Sequence, residues 1–267
     1  MSQDFTAFYM AKIISFMNNK GGVGKTTTVC AVAHAWAKEG NRILLLDLDS
    51  QANLTSIMTN TDQMNYNWDV TIEDVFKSGG KAPLPVLKVN DNIDIVPADL
   101  DLCNFDNDTS RITGKEFILK DALAQVCANY DYILIDCPPA LGQIAVNALI
   151  ASDDLVLVTN AEGLSYRGVG MVMELRRSLM ENIHIPCNVR IAGIVLNKVE
   201  RTKLTDVCYN RIVSEVGDLL INPCVRKSTR ITEAMTVNAD IFEYDATAKG
   251  TEDFMAVAKE ILRRVNK

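Results

Sequence analysis

At 267 residues, 48% of them apolar and 23% charged, the chain is long enough for one large domain or two small ones with a full core. Its 27 Lys and Arg against 34 Asp and Glu leave a net charge of −7, which excludes coating of nucleic acid through bulk charge and leaves only a local patch for such binding. The longest apolar runs, such as residues 43–46 and 155–158, fall far short of the ~20 residues of a membrane span. The first ten residues carry Asp4 and no basic flank, unlike a secretory leader. Seven Cys without a CxxC pair read as reduced thiols in a cytosolic setting rather than a disulfide framework or a zinc site.

In chain order, short apolar runs alternate with helix-length amphipathic stretches. Strands are predicted at 12–18, 42–47, 93–96, 132–136, 155–159 and 190–196, each a nearly continuous apolar run, as in strands covered on both faces. Helices are predicted at 26–39, 117–129, 166–181 and 205–216. A last helix is marked by Phe254, Val257, Ala258, Ile261, Leu262 and Val265, which form one stripe at helical spacing. Residues 59–69 and 78–91 read as loops. The expected fold is three-layer α/β: a mostly parallel twisted sheet with helices on both faces, in one domain over 1–267.

The first strand runs into Asn18-Asn19-Lys20-Gly21-Gly22-Val23-Gly24-Lys25-Thr26-Thr27-Thr28, and a small-residue helix follows. Strand, glycine loop and helix in that order are the context of a phosphate loop. Glycines let successive N–H groups converge on phosphate oxygens, and the helix N-terminus adds partial positive charge. Lys25 can reach the β and γ phosphates, and the Thr26 hydroxyl can ligate Mg²⁺. The usual pattern has Gly where this chain has Asn19, and Asn is the side chain that best tolerates a left-handed backbone there.

Residues 20–27, KGGVGKTT, resemble the deviant Walker A motif of the ParA/MinD family of P-loop ATPases. The resemblance implies that Gly21, Gly22, Val23, Gly24, Lys25, Thr26 and Thr27 bind ATP. It also makes Lys20 the signature lysine, which reaches the phosphates of the other subunit in an ATP-bridged homodimer. A second cation suits charge developing on a transferred phosphoryl group. Residues 43–53 are similar to the family's DxDxQxN segment, which gives Asp49 the attacking water and a place near the metal, while Asp47 supports the loop and metal shell. The family's usual Pro is Ser50 here. Residues 132–139 match the Walker B strand and its DxPP, so that Asp136 and Thr26 would hold Mg²⁺ directly or through water.

The resemblance spans about 12–265 and continues at Asn197, where the family hydrogen-bonds the adenine edge. Residues 226–234 resemble its PRNVRLSEA-like segment, with Arg226 in place of Pro, and 155–162 keep part of its VPVQPE run. With only about ten residues before the first strand, the chain looks like the small ParA type without an N-terminal helix-turn-helix. The expected activity is a slow, partner-stimulated ATPase using ATP and Mg²⁺. Its ATP-bound homodimer would hold nonspecific DNA, release it on hydrolysis and answer to a ParB-like activator. The resemblance implies a cytoplasmic, nucleoid-associated setting and a role in plasmid or chromosome segregation or cargo positioning.

Residues 198–230 hold 7 Lys or Arg against 4 Asp or Glu, and Arg226, Lys227 and Arg230 are the DNA-contact candidates. A MinD-like membrane regulator would carry a basic amphipathic tail. The last helix instead mixes Glu252, Asp253 and Glu260 with Lys259, Arg263 and Arg264, so no membrane contact is expected. A metabolic P-loop enzyme such as dethiobiotin synthetase shares the fold but lacks the counterpart of Lys20. His34 and His184 read as structural.

Overall fold

The apolar runs pair side by side because each is apolar on both of its faces, so only the interior of a sheet covered on both sides can bury them. In the computed structural model, which describes residues 10–61, 69–105, 112–161, 163–200 and 203–267, they form most of an eight-stranded sheet. The strands are β1 (Lys12–Met17), β2 (Ile43–Asp47), β3 (Leu87–Lys88), β4 (Ile93–Val96), β5 (Tyr132–Asp136), β6 (Asp154–Asn160), β7 (Arg190–Asn197) and β8 (Leu220–Ile221). Their order is β3-β4-β2-β5-β1-β6-β7-β8, all parallel except the edge pair β3–β4.

Ten helices are described: α1 (Lys25–Lys38), α2 (Asn53–Thr59), α3 (Ile72–Lys77), α4 (Ile118–Ala124), α5 (Gln143–Ala151), α6 (Gly163–Glu181), α7 (Lys203–Val216), α8 (Thr229–Thr236), α9 (Ile241–Tyr244) and α10 (Lys249–Val265). Alternate residues of each strand feed two apolar layers. Ile43, Leu45, Leu134, Val156 and Val158 pack toward α1 and α10. Leu44, Leu46, Ile133, Ile135 and Leu157 pack toward α3, α4, α5 and α6. This is the three-layer α/β fold that the pattern predicts. The apolar stripe of α10 is buried, with Phe254, Val257, Ala258 and Ile261 inaccessible, and Trp36 Nε1 donates to Ala258 O at 2.9 Å, tying α10 to α1.

Several elements differ from the sequence pattern. The helix predicted over 117–129 breaks after α4 into a separate 3₁₀ turn, Cys127–Asn129. Val126 leaves helical geometry at φ −120°, and Cys127 O accepts from Ala11 N at 3.1 Å, a bond outside any helix. Helix α5 escapes periodicity because nearly every residue from Ile144 to Ala151 is buried, which removes any polar face. Strands β3 and β8, at two residues each, are too short to show a period. Of the loop expected at 59–69, residues 62–68 lie outside the described residues, as do Arg201 and the side chain of Lys203.

Candidate phosphate-binding site

The centre of the sheet presents β1, β2 and β5 side by side, and the chain leaves each at the same end. From β1 it turns through two left-handed glycines, Gly22 at φ 73° and Gly24 at φ 94°, and enters α1 at Lys25. Such angles are open to glycine at no steric cost. The first turn of α1 has no acidic residue, so its exposed N–H groups keep their attraction for an anion.

The loop is anchored at its entry by buried Asn18, which donates to Val158 O at 2.7 Å and accepts from Lys20 N at 2.9 Å. Asn19 is not among the left-handed residues, contrary to the sequence expectation. Its side chain instead donates to Pro139 O at 2.9 Å, bracing the loop against the segment after β5. Lys20 is half-buried and Lys25 is buried, 7% exposed.

Strands β2 and β5 pair with Asp47 directly opposite Asp136. Asp136 is 1% exposed; its Oδ2 accepts from Thr26 Oγ1 at 2.6 Å, while Oδ1 has no partner among the described residues. Burial pushes the Asp136 carboxyl well above its ordinary value, Asp47 pushes it further, and Lys25 and Thr26 oppose the shift. Asp47 is also pushed up by burial, against the hydrogen bonds it accepts from Thr55 and Asp49. Those bonds occupy both of its oxygens: Oδ2 takes Thr55 N at 2.9 Å and Thr55 Oγ1 at 2.8 Å, and Oδ1 takes Asp49 N at 3.1 Å. Asp47 therefore supports the loop into α2.

An orphaned carboxylate oxygen beside a threonine hydroxyl suits Mg²⁺, which takes hard oxygens and shares a site with phosphates through one or two carboxylates. A cation there would remove the penalty that burial places on the charged form of Asp136.

A cavity of about 440 Å³ opens over the loop. Gly21, Gly22, Gly24, Lys25, Thr26 and Thr27 form its floor, and Asp49 stands on the β2 side, where its Oδ1 accepts from Gln51 N at 3.0 Å. Lys198 borders it from β7, and Ile231, Thr232, Met235 and Asn238 close it from α8 and the turn beyond. A larger cleft, about 870 Å³, lies between α1 and α10 around His34 and Met255 and contains no glycine loop.

Asn197 does not line the cavity. It is 3% exposed, donates from Nδ2 to Val23 O at 3.1 Å and accepts from Lys198 N at 2.8 Å. The three basic candidates do not form an open positive patch. Arg226 grips Asp253 through Nε at 2.7 Å and Nη2 at 2.8 Å and reaches Lys249 O at 3.2 Å, which commits it to holding its segment on α10. Lys227 pairs with Glu200, and Arg230 with Glu233 at 2.9 Å and Asp245 at 3.3 Å. Sequence reasoning missed the roles of Thr55, which bonds Asp47 eight positions earlier, and of Lys198, which meets Gly22 across the fold. Ile231 and Thr232 of the α8 wall fall within the 226–234 segment that the resemblance singled out.

Residues 11–189 match the family described as an AAA domain. Over 94% of its length the chain is 32% identical to the sporulation initiation inhibitor protein Soj of Bacillus subtilis, 98% of which is covered. It is 29% identical over 95% of its length to the chromosome partitioning protein ParA of Caulobacter vibrioides, covering 94% of that protein. Among solved structures it is similar to cobyrinic acid a,c-diamide synthase from Mycobacterium smegmatis with bound ADP and magnesium, at a TM-score of 0.79, 26% identity and 95% coverage of each chain.

Proposed function

The chain belongs to the ParA/Soj-like partition ATPases, and from that membership we propose that it binds ATP with Mg²⁺ at residues 20–27, closes as a homodimer over the nucleotide, holds nonspecific DNA in that state and lets go on hydrolysis. The observation that carries the reading is the 2.6 Å bond from Thr26 to Asp136 beside buried Lys25, at the mouth of a glycine loop that opens an uncapped helix.

In this reading the backbone N–H groups of the loop and the start of α1 cradle the phosphates, and Lys25 neutralises their β and γ oxygens. Lys20 extends toward the phosphates held by the second subunit, adding positive charge where negative charge develops. Asp49, on the cavity wall, accepts a hydrogen bond from the attacking water and aligns it. Thr26 and Asp136 would hold the magnesium ion, which would supply positive charge against the phosphates. The output is a difference in DNA affinity between the closed and open states, with hydrolysis setting its lifetime. A ParB-like activator shortens that lifetime.

Lys227 and Arg230 supply the phosphate contacts to DNA in this reading. Both are exposed and their ion pairs face water, where a pair holds little net energy and a DNA phosphate can displace the carboxylate. Arg226 fixes the segment that carries them. Burial of the α10 apolar stripe leaves that helix no face for lipid, which weighs against the MinD-like alternative, and no described helix is long and apolar enough to cross a membrane.

The test is a titration of the purified chain with ATP and Mg²⁺ by calorimetry, beside Lys25→Ala, with phosphate release followed with and without DNA. Binding that disappears in the variant is expected; wild-type affinity and turnover in Lys25→Ala reject the assignment. A metabolic P-loop enzyme has the 26% identity to the synthase structure in its favour. Turnover raised by DNA, with no acceptor substrate present, decides against it.

A further inference from the structure

The helix that begins at the phosphate loop also holds the opposite wall of the cavity. Helix α1 supplies Lys25, Thr26 and Thr27 to the floor, while Ile231, Thr232, Met235 and Asn238 form the wall on α8 and the turn after it. Farther along α1, His34 Nδ1 lies 2.9 Å from Oδ2 of Asp240, two positions beyond Asn238.

The chain from α8 to α9 is tied into one piece. Asn238, left-handed at φ 52°, ends α8, and Ala239 N returns to Ala234 O at 2.9 Å. Asp240 Oδ1 caps α9 through Phe242 N at 2.7 Å, and the Tyr244 hydroxyl reaches back to Glu233 of α8 at 3.3 Å. Buried Ala234 and Ile241 seat the piece on the core. Among the described residues, His34–Asp240 is the one ion pair that joins it to α1.

The two groups depend on each other. Asp240 is 5% exposed and the His34 side chain 22%, and neither facing atom has another partner among the described residues. Glu243 of α9 and the Cys30 carbonyl, one turn back on α1, also favour the imidazolium. The Cys30 thiol stays neutral, pushed up by burial. Lys38 and Glu39 at the end of α1 and Glu252 and Lys259 on α10 line the cleft beside His34, two of each sign. Removing the imidazolium charge leaves a buried carboxylate against a neutral ring, which weakens the tie between the two walls.

We propose that the His34–Asp240 pair is a proton-operated latch on the nucleotide cavity: charged His34 holds the α8 wall against α1, and loss of its proton loosens the grip on the nucleoside half of the ligand. This rests on the nucleotide reading above. Phosphates occupy the loop floor, so the rest of the nucleotide is left to the walls, and a latch on α8 acts on that half alone. ATP affinity is then full at the acid side and falls as pH rises through the raised folded value of His34. By linkage, bound nucleotide favours the charged imidazole in return.

The test measures the affinity of the full chain for ATP and for inorganic tripolyphosphate, each with saturating Mg²⁺, from about pH 5.5 to about pH 8.5. The wild type is compared with His34→Gln, Asp240→Asn and Lys25→Ala. Across that range the wild type should lose about fivefold in ATP affinity relative to His34→Gln. The ligand phosphates and the Asp47 and Asp136 carboxyls are common to both, so the difference belongs to His34. Asp240→Asn keeps an oxygen for the α9 cap and should follow His34→Gln. Tripolyphosphate should give one profile in all three. Superimposable ATP profiles in the wild type and His34→Gln overturn the latch, as does an equal pH effect on tripolyphosphate, which has no part to rest on α8. If ATP binds the wild type and Lys25→Ala equally at every pH, the nucleotide reading itself fails, and the latch with it.

Discussion

Gly168 of α6 lies directly against Asn18: a Cβ at position 168 would collide with Asn18 Oδ1 and stand 3.3 Å from the Asn19 amide nitrogen. That Oδ1 accepts the Lys20 N–H, so the helix backbone presses on the residue that orients the start of the phosphate loop. Gly168→Ala gains about 0.5–1 kcal/mol of helix propensity. Overpacking at so close a contact costs about 1–3 kcal/mol and outweighs it. The expected result is a net loss of stability in chemical denaturation together with weaker ATP binding. A variant as stable and as tight-binding as the wild type would show that α6 shifts freely off the loop.

Asp49 stands on the cavity wall with its carboxylate half-exposed and its Oδ1 on Gln51 N. Asp49→Ala keeps the loop, Lys25 and Thr26 intact, so ATP should still bind. Loss of the residue that aligns water should slow phosphate release by about 10²-fold or more. The dimer should then accumulate with ATP, as read by light scattering on a sizing column. Normal turnover would remove Asp49 from the chemistry.

Arg230 is paired on the protein surface with Glu233 and Asp245. Arg230→Glu places a third carboxylate there. ATP-dependent DNA binding should weaken for every sequence alike, and the slope of log affinity against log salt should fall by about 1. ATP-driven dimerisation should be unaffected. A salt series of gel shifts that superimposes on the wild type would move the DNA face elsewhere.

His34 Nδ1 lies 2.9 Å from Asp240 Oδ2, and Asp240 caps α9 through Phe242 N at 2.7 Å. Burial lowers the imidazole pKa, but the hydrogen bond and charge of Asp240, aided by Glu243, outweigh it and raise the value above 6.5. The charged form is therefore favoured in the folded chain. The stability it contributes is fully present below the unfolded value and is lost as pH rises through the raised folded value. Melting curves of the wild type and His34→Gln from about pH 5.5 to about pH 8.5 should lie furthest apart at the acid end and converge at the alkaline end. A gap independent of pH would leave the pair without a role in stability.

The parts of the molecule legible in the sequence are those whose cause is local. The apolar runs mark six strands within a residue or so of their ends, because burial on both faces writes itself into consecutive positions. The glycine loop and the carboxylates at the ends of β2 and β5 are legible for the same reason: Gly22, Gly24, Lys25, Thr26, Asp49 and Asp136 each lie at, or no more than nine residues past, a strand end that periodicity locates. Asn19 misled because its residue type suggested a backbone angle, while a contact with Pro139, 120 residues away, uses its side chain. The charge balance of the basic run was less legible, because counting charges along the chain ignores Asp253, Glu200 and Asp245, which folding brings alongside Arg226, Lys227 and Arg230.

From the amino-acid order by itself came the layered sheet, the phosphate loop and the family, since each is written in short contiguous patterns of hydrophobicity and backbone freedom. Only the tertiary structure decided what presses on that loop. Asn197 is 174 positions from Val23 in sequence, and the spacing between them says nothing about an amide and a carbonyl meeting at 3.1 Å. Strand order, not sequence distance, brings β7 behind the loop, and hydrogen bonds depend on the separation that folding produces.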